Sequence, residues 1–141
     1  MRAGLFCAAL ALVACSKQES PVTLTITAAT LADLHEFRLE AKFQEDLVAF
    51  YPGAPDEVIR VRCESRLNGL LDRLIAGISS NPSKDYVLQE FRATLGLFDA
   101  EDSEERDRVA LYLERVMDIV GIESSDGLLN QWRYGFDPPG A

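Results

Sequence analysis

Apolar residues recur at three- and four-residue steps through most of this chain, which is the period of an α-helix. The clearest run is Ile59, Cys63, Leu67, Leu70, Leu74 and Ile78, one stripe down a long helix. Pro55 fits its first position, and Asp56 and Glu57 complement its positive end. Gly69 suits a close helix contact, and Gly77 lies near the end, before Ser79-Ser80-Asn81-Pro82. Upstream, Thr30-Leu31-Ala32-Asp33 reads as a capped start, followed by Leu34, Phe37, Ala41, Leu47, Val48 and Tyr51 at helical spacing. Phe37, Leu39, Ala41 and Phe43 also alternate as a strand would. Length and the helix formers Glu36, Glu40, Lys42 and Glu45 favour a helix that runs to Tyr51-Pro52-Gly53-Ala54-Pro55.

Downstream, Asn81 or Ser83 caps a third helix whose buried face is Val87 or Leu88, Phe91, Leu95 and Phe98. Asp99-Ala100-Glu101-Asp102 breaks it, and Asp102 with Glu105 forms a capping-box pattern for a fourth helix. Val109, Leu113, Val116 and Val120 are its stripe, widened by Tyr112, Met117 and Ile119. Gly121 stands at its stop, with Ile122 where a Schellman cap wants an apolar contact. Ser124 or Ser125 opens a short fifth helix bearing Leu128, Leu129 and Trp132, and Gly135 closes it. Val22-Thr23-Leu24-Thr25-Ile26-Thr27 alternates with period two, as a half-buried strand does. No partner strand is apparent, so extended linker is the safer reading. The fold expected is all-α: a compact antiparallel bundle of about five helices joined by short loops, occupying residues 30–141.

The front of the chain differs from all of this. Arg2 precedes an apolar run from Ala3 to Ala14, and Ser16-Lys17-Gln18-Glu19-Ser20 after Cys15 is abruptly polar. A charged start, a short apolar stretch and small residues at the end describe an export signal. The run is too short to span a bilayer, which takes roughly 20 apolar residues. Leu12-Val13-Ala14-Cys15 resembles the lipobox of bacterial lipoproteins, in which the cysteine becomes the acylated first residue. That resemblance implies a signal over residues 1–14, an acylated Cys15, and a lipidated tether over residues 15–29. Each buried methylene contributes about 0.8 kcal/mol, so more than one chain on Cys15 anchors stably. Ser16 rather than Asp after the cysteine resembles the outer-membrane pattern of Gram-negative lipoproteins, facing the periplasm.

Composition sharpens the picture in two places. The chain carries 14 basic and 23 acidic residues, a net charge of −9. Such acidity disfavours nucleic acid, whose phosphates need Lys and Arg, and disfavours lying flat on an anionic membrane. It suits solubility or a basic protein partner. Cys7 leaves with the signal and Cys15 takes lipid, so Cys63 stands alone on an apolar stripe. It reads as a small buried hydrophobe rather than a thiol catalyst.

The residues offer little chemistry. Asp99, Glu101, Asp102, Glu104, Glu105 and Asp107 lack the glycine and ligand spacing of a calcium loop, and read as solvated charge at a helix start. The single histidine, His35, makes a zinc site or a Ser/His/Asp set improbable. No metal and no cofactor are expected. The C-terminal segment holds the best binding candidates, because Trp132, Arg133, Tyr134 and Phe136 are types enriched at interface hot spots. The competing reading is that Leu128, Leu129 and Trp132 simply cover one end of the bundle.

Arg66-Leu67-Asn68-Gly69-Leu70-Leu71 and Ile119-Val120-Gly121-Ile122-Glu123-Ser124-Ser125-Asp126-Gly127-Leu128-Leu129 resemble small bacterial helical domains of unknown function. That resemblance implies a fold and no activity. The expectation is a non-catalytic, membrane-anchored lipoprotein that captures a protein partner, as an immunity or inhibitor protein does. A structural envelope component is the alternative, and an envelope hydrolase comes third. The oligomeric state is left open.

Overall fold

The structure is a computed structural model and describes residues 21–136. The expected signal over residues 1–14, Cys15 and the polar residues up to Ser20 lie outside the described residues. Within them are five α-helices: α1 (Ala28–Leu39), α2 (Glu57–Gly77), α3 (Lys84–Leu95), α4 (Ser103–Val120) and α5 (Leu128–Tyr134), with a 3-10 turn at Gly96–Phe98. The chain is an all-α bundle, as its periodicity predicts. Helix α1 packs on α2 and α4, α2 on α3, and α5 on α3 and α4.

Each helix is bounded by local chemistry. Asp56 accepts from the Ile59 N–H at the head of α2, and Ser83 accepts from the Tyr86 N–H at the head of α3. Pro55 and Pro82 therefore lie just before the caps. Gly121 takes the left-handed conformation at the end of α4 with φ 79°, and Ile122 N–H reaches back to Met117 O at 2.9 Å. That is a Schellman closure, and Ile122 is buried beside it. The expected close contact at Gly69 is absent, since a Cβ there would meet only an Arg73 nitrogen at 3.5 Å. The tight approach is at Gly77, where a Cβ would lie 2.2 Å from the Tyr86 hydroxyl oxygen. That hydroxyl donates to Arg73 O, clamping α3 against the end of α2.

The α2 stripe forms the centre of the core. Cys63, Leu67, Leu70, Leu71, Leu74 and Ile78 are fully buried, and they meet Leu34, Phe37, Phe91, Leu113 and Val116 from three neighbours. Cys63 is a free thiol in this core, and burial pushes its pKa up to about 11. It is a filler of the apolar interior, without thiolate character.

Two sequence expectations fail at the first helix, and the extended segment before it has a more definite place than a linker. Its cap is Thr27, whose hydroxyl accepts from Thr30 N–H while the Thr30 hydroxyl accepts from Thr27 N–H. The helix therefore starts at Ala28, ahead of the expected Thr30. It also stops at Leu39, and residues 40–56 are an irregular excursion rather than its continuation to Tyr51. Finally, the Val22 to Thr27 segment makes only one isolated antiparallel bridge, Thr23 to Ser83. Leu24 N–H donates to Pro82 O and Lys84 N–H donates to Val22 O, while Leu24 is buried in the core. The segment is a strap that satisfies the α2–α3 connection, so it needs no second strand.

These connections define two poles. At the near pole lie the strap, the α2–α3 connection and the α4–α5 connection, joined by the Lys84–Asp126 ion pair at 2.6 Å. At the far pole lie residues 40–56, the 3-10 turn and the start of α4. Helix α2, with 21 residues, runs between them, and at 1.5 Å per residue that separates the poles by roughly 30 Å.

Truncation tests the strap. Leu24→Ala should cost about 2–3 kcal/mol in urea denaturation. Val22→Ala, at the exposed neighbour two residues away, should change stability by less than about 0.5 kcal/mol. Equal small effects would show that the strap does not belong to the folded body.

Candidate functional site

The far pole is built around Lys42. The helix ends at Leu39, and its last carbonyls point into the protein with no helical partner. The Lys42 side chain is fully buried and fills that need. Its ammonium donates to Glu40 O at 2.9 Å and Arg38 O at 3.3 Å, and stands 4.9 Å from the Phe37 ring centroid. Burial lowers its pKa. The Lys42 N–H donates to Glu64 Oε2 at 2.6 Å. The chain therefore turns sharply away from α1 onto α2.

Phe43 completes the turn. It adopts a positive φ of 57°, which is strained for a side chain of this size. Its fully buried ring stacks on Phe98 at 5.9 Å and meets Tyr112 edge-on at 5.2 Å. Its N–H donates to the Tyr112 hydroxyl at 3.0 Å, and its carbonyl accepts from Ala54 N–H. Packing from the 3-10 turn and α4 thus holds a conformation the local sequence disfavours.

Beyond Phe43 the chain forms a short hairpin. Asp46 and Tyr51 exchange two backbone hydrogen bonds, at 2.8 and 2.9 Å. Asp46 Oδ1 accepts from Ala49 N–H inside the turn, and Asp46 Oδ2 accepts from Arg108 at 2.8 Å. The Arg108 guanidinium lies 5.0 Å from the ring centroids of both Tyr51 and Tyr112. Tyr51 donates its hydroxyl to Glu105 Oε1 at 3.2 Å. The hairpin base is thereby locked to α4 by an ion pair, a cation–π sandwich and a buried hydrogen bond.

The tip carries the opposite character. Leu47, Val48 and Phe50 are 73%, 93% and 94% exposed, and Phe50 has a positive φ of 53°. Among the described residues, five large apolar side chains are more than 70% exposed: Leu39, Leu47, Val48, Phe50 and Val58. All five belong to the far pole, in the excursion or at the ends of the helices that flank it. Sequence periodicity placed Leu47 and Val48 on a buried stripe. They are the reverse, because the helix they were assigned to ends at Leu39 and does not reach them.

Beside the hairpin base is a cleft of about 390 Å³ lined by Pro52, Gly53, Ala54, Pro55, Asp102, Glu104 and Glu105. Asp102 caps α4 through its backbone and makes no side-chain cap bond, so the expected capping box does not form. Its intended partner, Glu105, is instead buried against Tyr51. Burial raises the Glu105 pKa above the usual carboxylate range.

Three further acids of this stretch, Glu101, Asp99 and Asp107, are structural, while Glu104 is exposed and bonded only by the neighbouring Ser103 hydroxyl. Glu101 is gripped by Arg62 and Arg66, with Arg62 holding its carboxyl below the usual range. Asp99 accepts from the Trp132 indole, and Asp107 pairs with Arg133 at 2.7 Å. Among the described residues, no group of three His, Cys, Asp or Glu side chains could hold a metal ion.

The C-terminal candidates divide in two. Trp132 is half-buried, donating to Asp99 Oδ1 at 2.8 Å with Arg106 stacked 4.6 Å from its ring. Arg133 is half-buried and tied to Asp107. These two hold α5 onto the 3-10 turn and α4. Tyr134 and Phe136 are exposed, with ring centroids 6.4 Å apart. The helix itself starts after Gly127, later than Ser124 or Ser125 suggested, because Asp126 and Gly127 both take positive φ.

Residues 25–137 match a family described as a domain of unknown function (DUF4844). Among solved structures, a DUF3571 family protein from Acinetobacter baumannii AYE is similar, with a TM-score of 0.68 and 30% sequence identity. The likeness covers 75% of this chain and 89% of that one. No curated protein matches the chain.

Two substitutions test how the far pole is held. Lys42→Met keeps the apolar stem and removes the ammonium, leaving carbonyls at the end of α1 unpaired; a loss of about 1–3 kcal/mol is expected by denaturation. Glu105→Gln tests the buried carboxyl. Because its folded pKa is raised, the native state holds a proton that the unfolded chain has already released. Stability from this group is therefore present below the unfolded pKa and is lost as pH rises through the folded one. The native protein should gain stability relative to Glu105→Gln as pH falls from neutral into the carboxylate range. A difference independent of pH would refute the assignment.

Proposed function

We propose that this chain, which belongs to the DUF4844 family, is an extracytoplasmic lipoprotein, anchored through acylated Cys15, that captures a protein partner without chemistry of its own. The observation that carries this reading is the segregation of the two ends of the body. The chain from Cys15 enters at Pro21, at the near pole. Six residues fully extended reach about 20 Å, short of the roughly 30 Å that α2 spans. The five strongly exposed apolar side chains stand at the opposite pole. The tip therefore cannot stand at the anchor point itself, and in a body that stands upright on its tether it faces outward, where a protein is the fitting neighbour.

Charge agrees with this reading. Removing residues 1–14 deletes only Arg2 among the charged residues, leaving −10 from a total of −9. An acidic body steers onto a basic target and discourages acidic ones. An immunity or inhibitor protein facing the periplasm from the outer membrane fits both the address and the charge.

Metabolic labelling tests the address. Labelled palmitate should enter the full-length protein in a bacterial host, and Cys15→Ser should abolish the label and shift the protein to the soluble fraction. Absent label, or label indifferent to Cys15→Ser, refutes the anchor. A pull-down from envelope extracts tests capture: recovery no greater than that of an unrelated anchored control counts against it.

A further inference from the structure

The hairpin and the cleft beside it combine two features that one partner chemistry explains. The tip Leu47-Val48-Ala49-Phe50 projects apolar side chains into solvent, yet its base is fixed by Asp46–Arg108, Tyr51–Glu105 and the Asp46–Tyr51 bridge. A mobile loop would lose conformational entropy on docking; this one has already lost it on folding. The tip also retains a non-glycine residue at positive φ, Phe50, which holds the aromatic ring outward at a cost the fold tolerates.

The adjacent cleft supplies the charge. Asp102, Glu104 and Glu105 line it. Around the far pole several acids are matched by arginines: Glu101 by Arg62 and Arg66, Asp46 by Arg108, Asp107 by Arg133, Glu40 by Arg115. Acids without an ion pair also occur elsewhere, as at Glu114, Asp118 and Glu123, but there no exposed apolar knob stands beside them. Among the described residues no ion pair involves Asp102 or Glu104, the two exposed acids of the cleft, whereas Glu105 is buried and already receives the Tyr51 hydroxyl. Uncompensated carboxylates next to an apolar knob attract a cation that can desolvate beside it. The same carboxylates are not arranged to hold a metal ion, which leaves an extended cationic side chain.

We infer that the hairpin tip and this acidic cleft form a single docking surface for a protein that offers an apolar socket flanked by a lysine or arginine. The inference rests on the protein-capture reading and names its surface and the chemistry of the partner. A second copy of this chain is disfavoured, because tip-to-tip contact would bring the two acidic clefts together. An anionic bilayer is disfavoured by the same carboxylates and by the placement of the chain entry at the other pole.

Site-specific photo-crosslinking in cells tests it on the full-length protein. A photoreactive amino acid replaces Val48 at the tip or, as control, Leu111 on the exposed side of α4. The expected result is a discrete protein adduct from Val48 and little from Leu111. Leu47→Asp with Phe50→Asp should abolish the adduct. Asp102→Lys with Glu104→Lys should reduce it about tenfold or more, as loss of an interface hot spot does. The altered side chains are exposed, so circular dichroism should show unchanged helix content in both double variants.

An adduct to a second copy, an adduct to lipid, or an adduct indifferent to the charge reversal overturns the docking surface. So does a yield at Val48 no greater than at Leu111. The two readings fail separately. An unlabelled Cys15 with the Val48 adduct intact sinks the lipid address alone, and an acylated Cys15 with no tip adduct sinks the docking surface alone.

Discussion

A helix that stops inside a protein leaves carbonyls that must find donors, and the way this chain meets that requirement at Leu39 shapes the whole far pole. The donor is a buried ammonium, Lys42 Nζ, supported by the face of Phe37. A buried lysine is costly unless it is paired or solvated by protein dipoles. Here two carbonyls and an aromatic face do that work. Once the chain has turned, Phe43 is driven between Phe98 and Tyr112, and the remainder of the excursion is positioned by its attachment to α4. Helix termination, aromatic packing and the display of the hairpin are consequences of one local demand for hydrogen bonds.

The charged residues serve the same end. The stretch from Asp99 to Asp107 looks like a block of surface acid, yet four of its members are spent on tertiary contacts. Glu101 joins α2 to the 3-10 turn through two arginines, Glu105 receives Tyr51, Asp99 receives the Trp132 indole, and Asp107 holds Arg133. Exposed pairs of this kind contribute little singly. Their importance is directional: they fix α2, α5 and the hairpin against α4 so that each presents a defined face. What stays uncompensated, Asp102 and Glu104 at the cleft, is then informative because its neighbours are not.

The aromatic C-terminus is a related case. Trp132 and Arg133 have the composition of a hot spot, but their polar atoms are already engaged by Asp99 and Asp107. Tyr134 and Phe136 remain open. Residue type alone does not separate an anchor of the fold from an anchor for a partner; the hydrogen-bond partners do. The similarity to a DUF3571 family protein at 30% identity supports the architecture. The two families are both described by unknown function, so the functional reading rests on this chain's own surface.

The helical class, the core stripe of α2 and the buried faces of α3 and α4 were legible because helical periodicity is local: residues three and four apart share a face whatever surrounds them. The closures at Gly121 and Gly135 were legible for the same reason. The excursion of residues 40–56 was not. Leu47, Val48 and Tyr51 fit a helical stripe, and the true conformation is enforced by distant groups: Arg108 lies 62 residues from Asp46, and Tyr112 lies 69 from Phe43. The strap was likewise hidden, since its hydrogen-bond partners are loop carbonyls and amides near Pro82 rather than a strand with its own pattern. Sequence determined which segments are rods and which face of each is apolar. Only the assembled bundle decided where a rod ends early and which apolar side chains are left in water, because those outcomes depend on partners that no local pattern encodes.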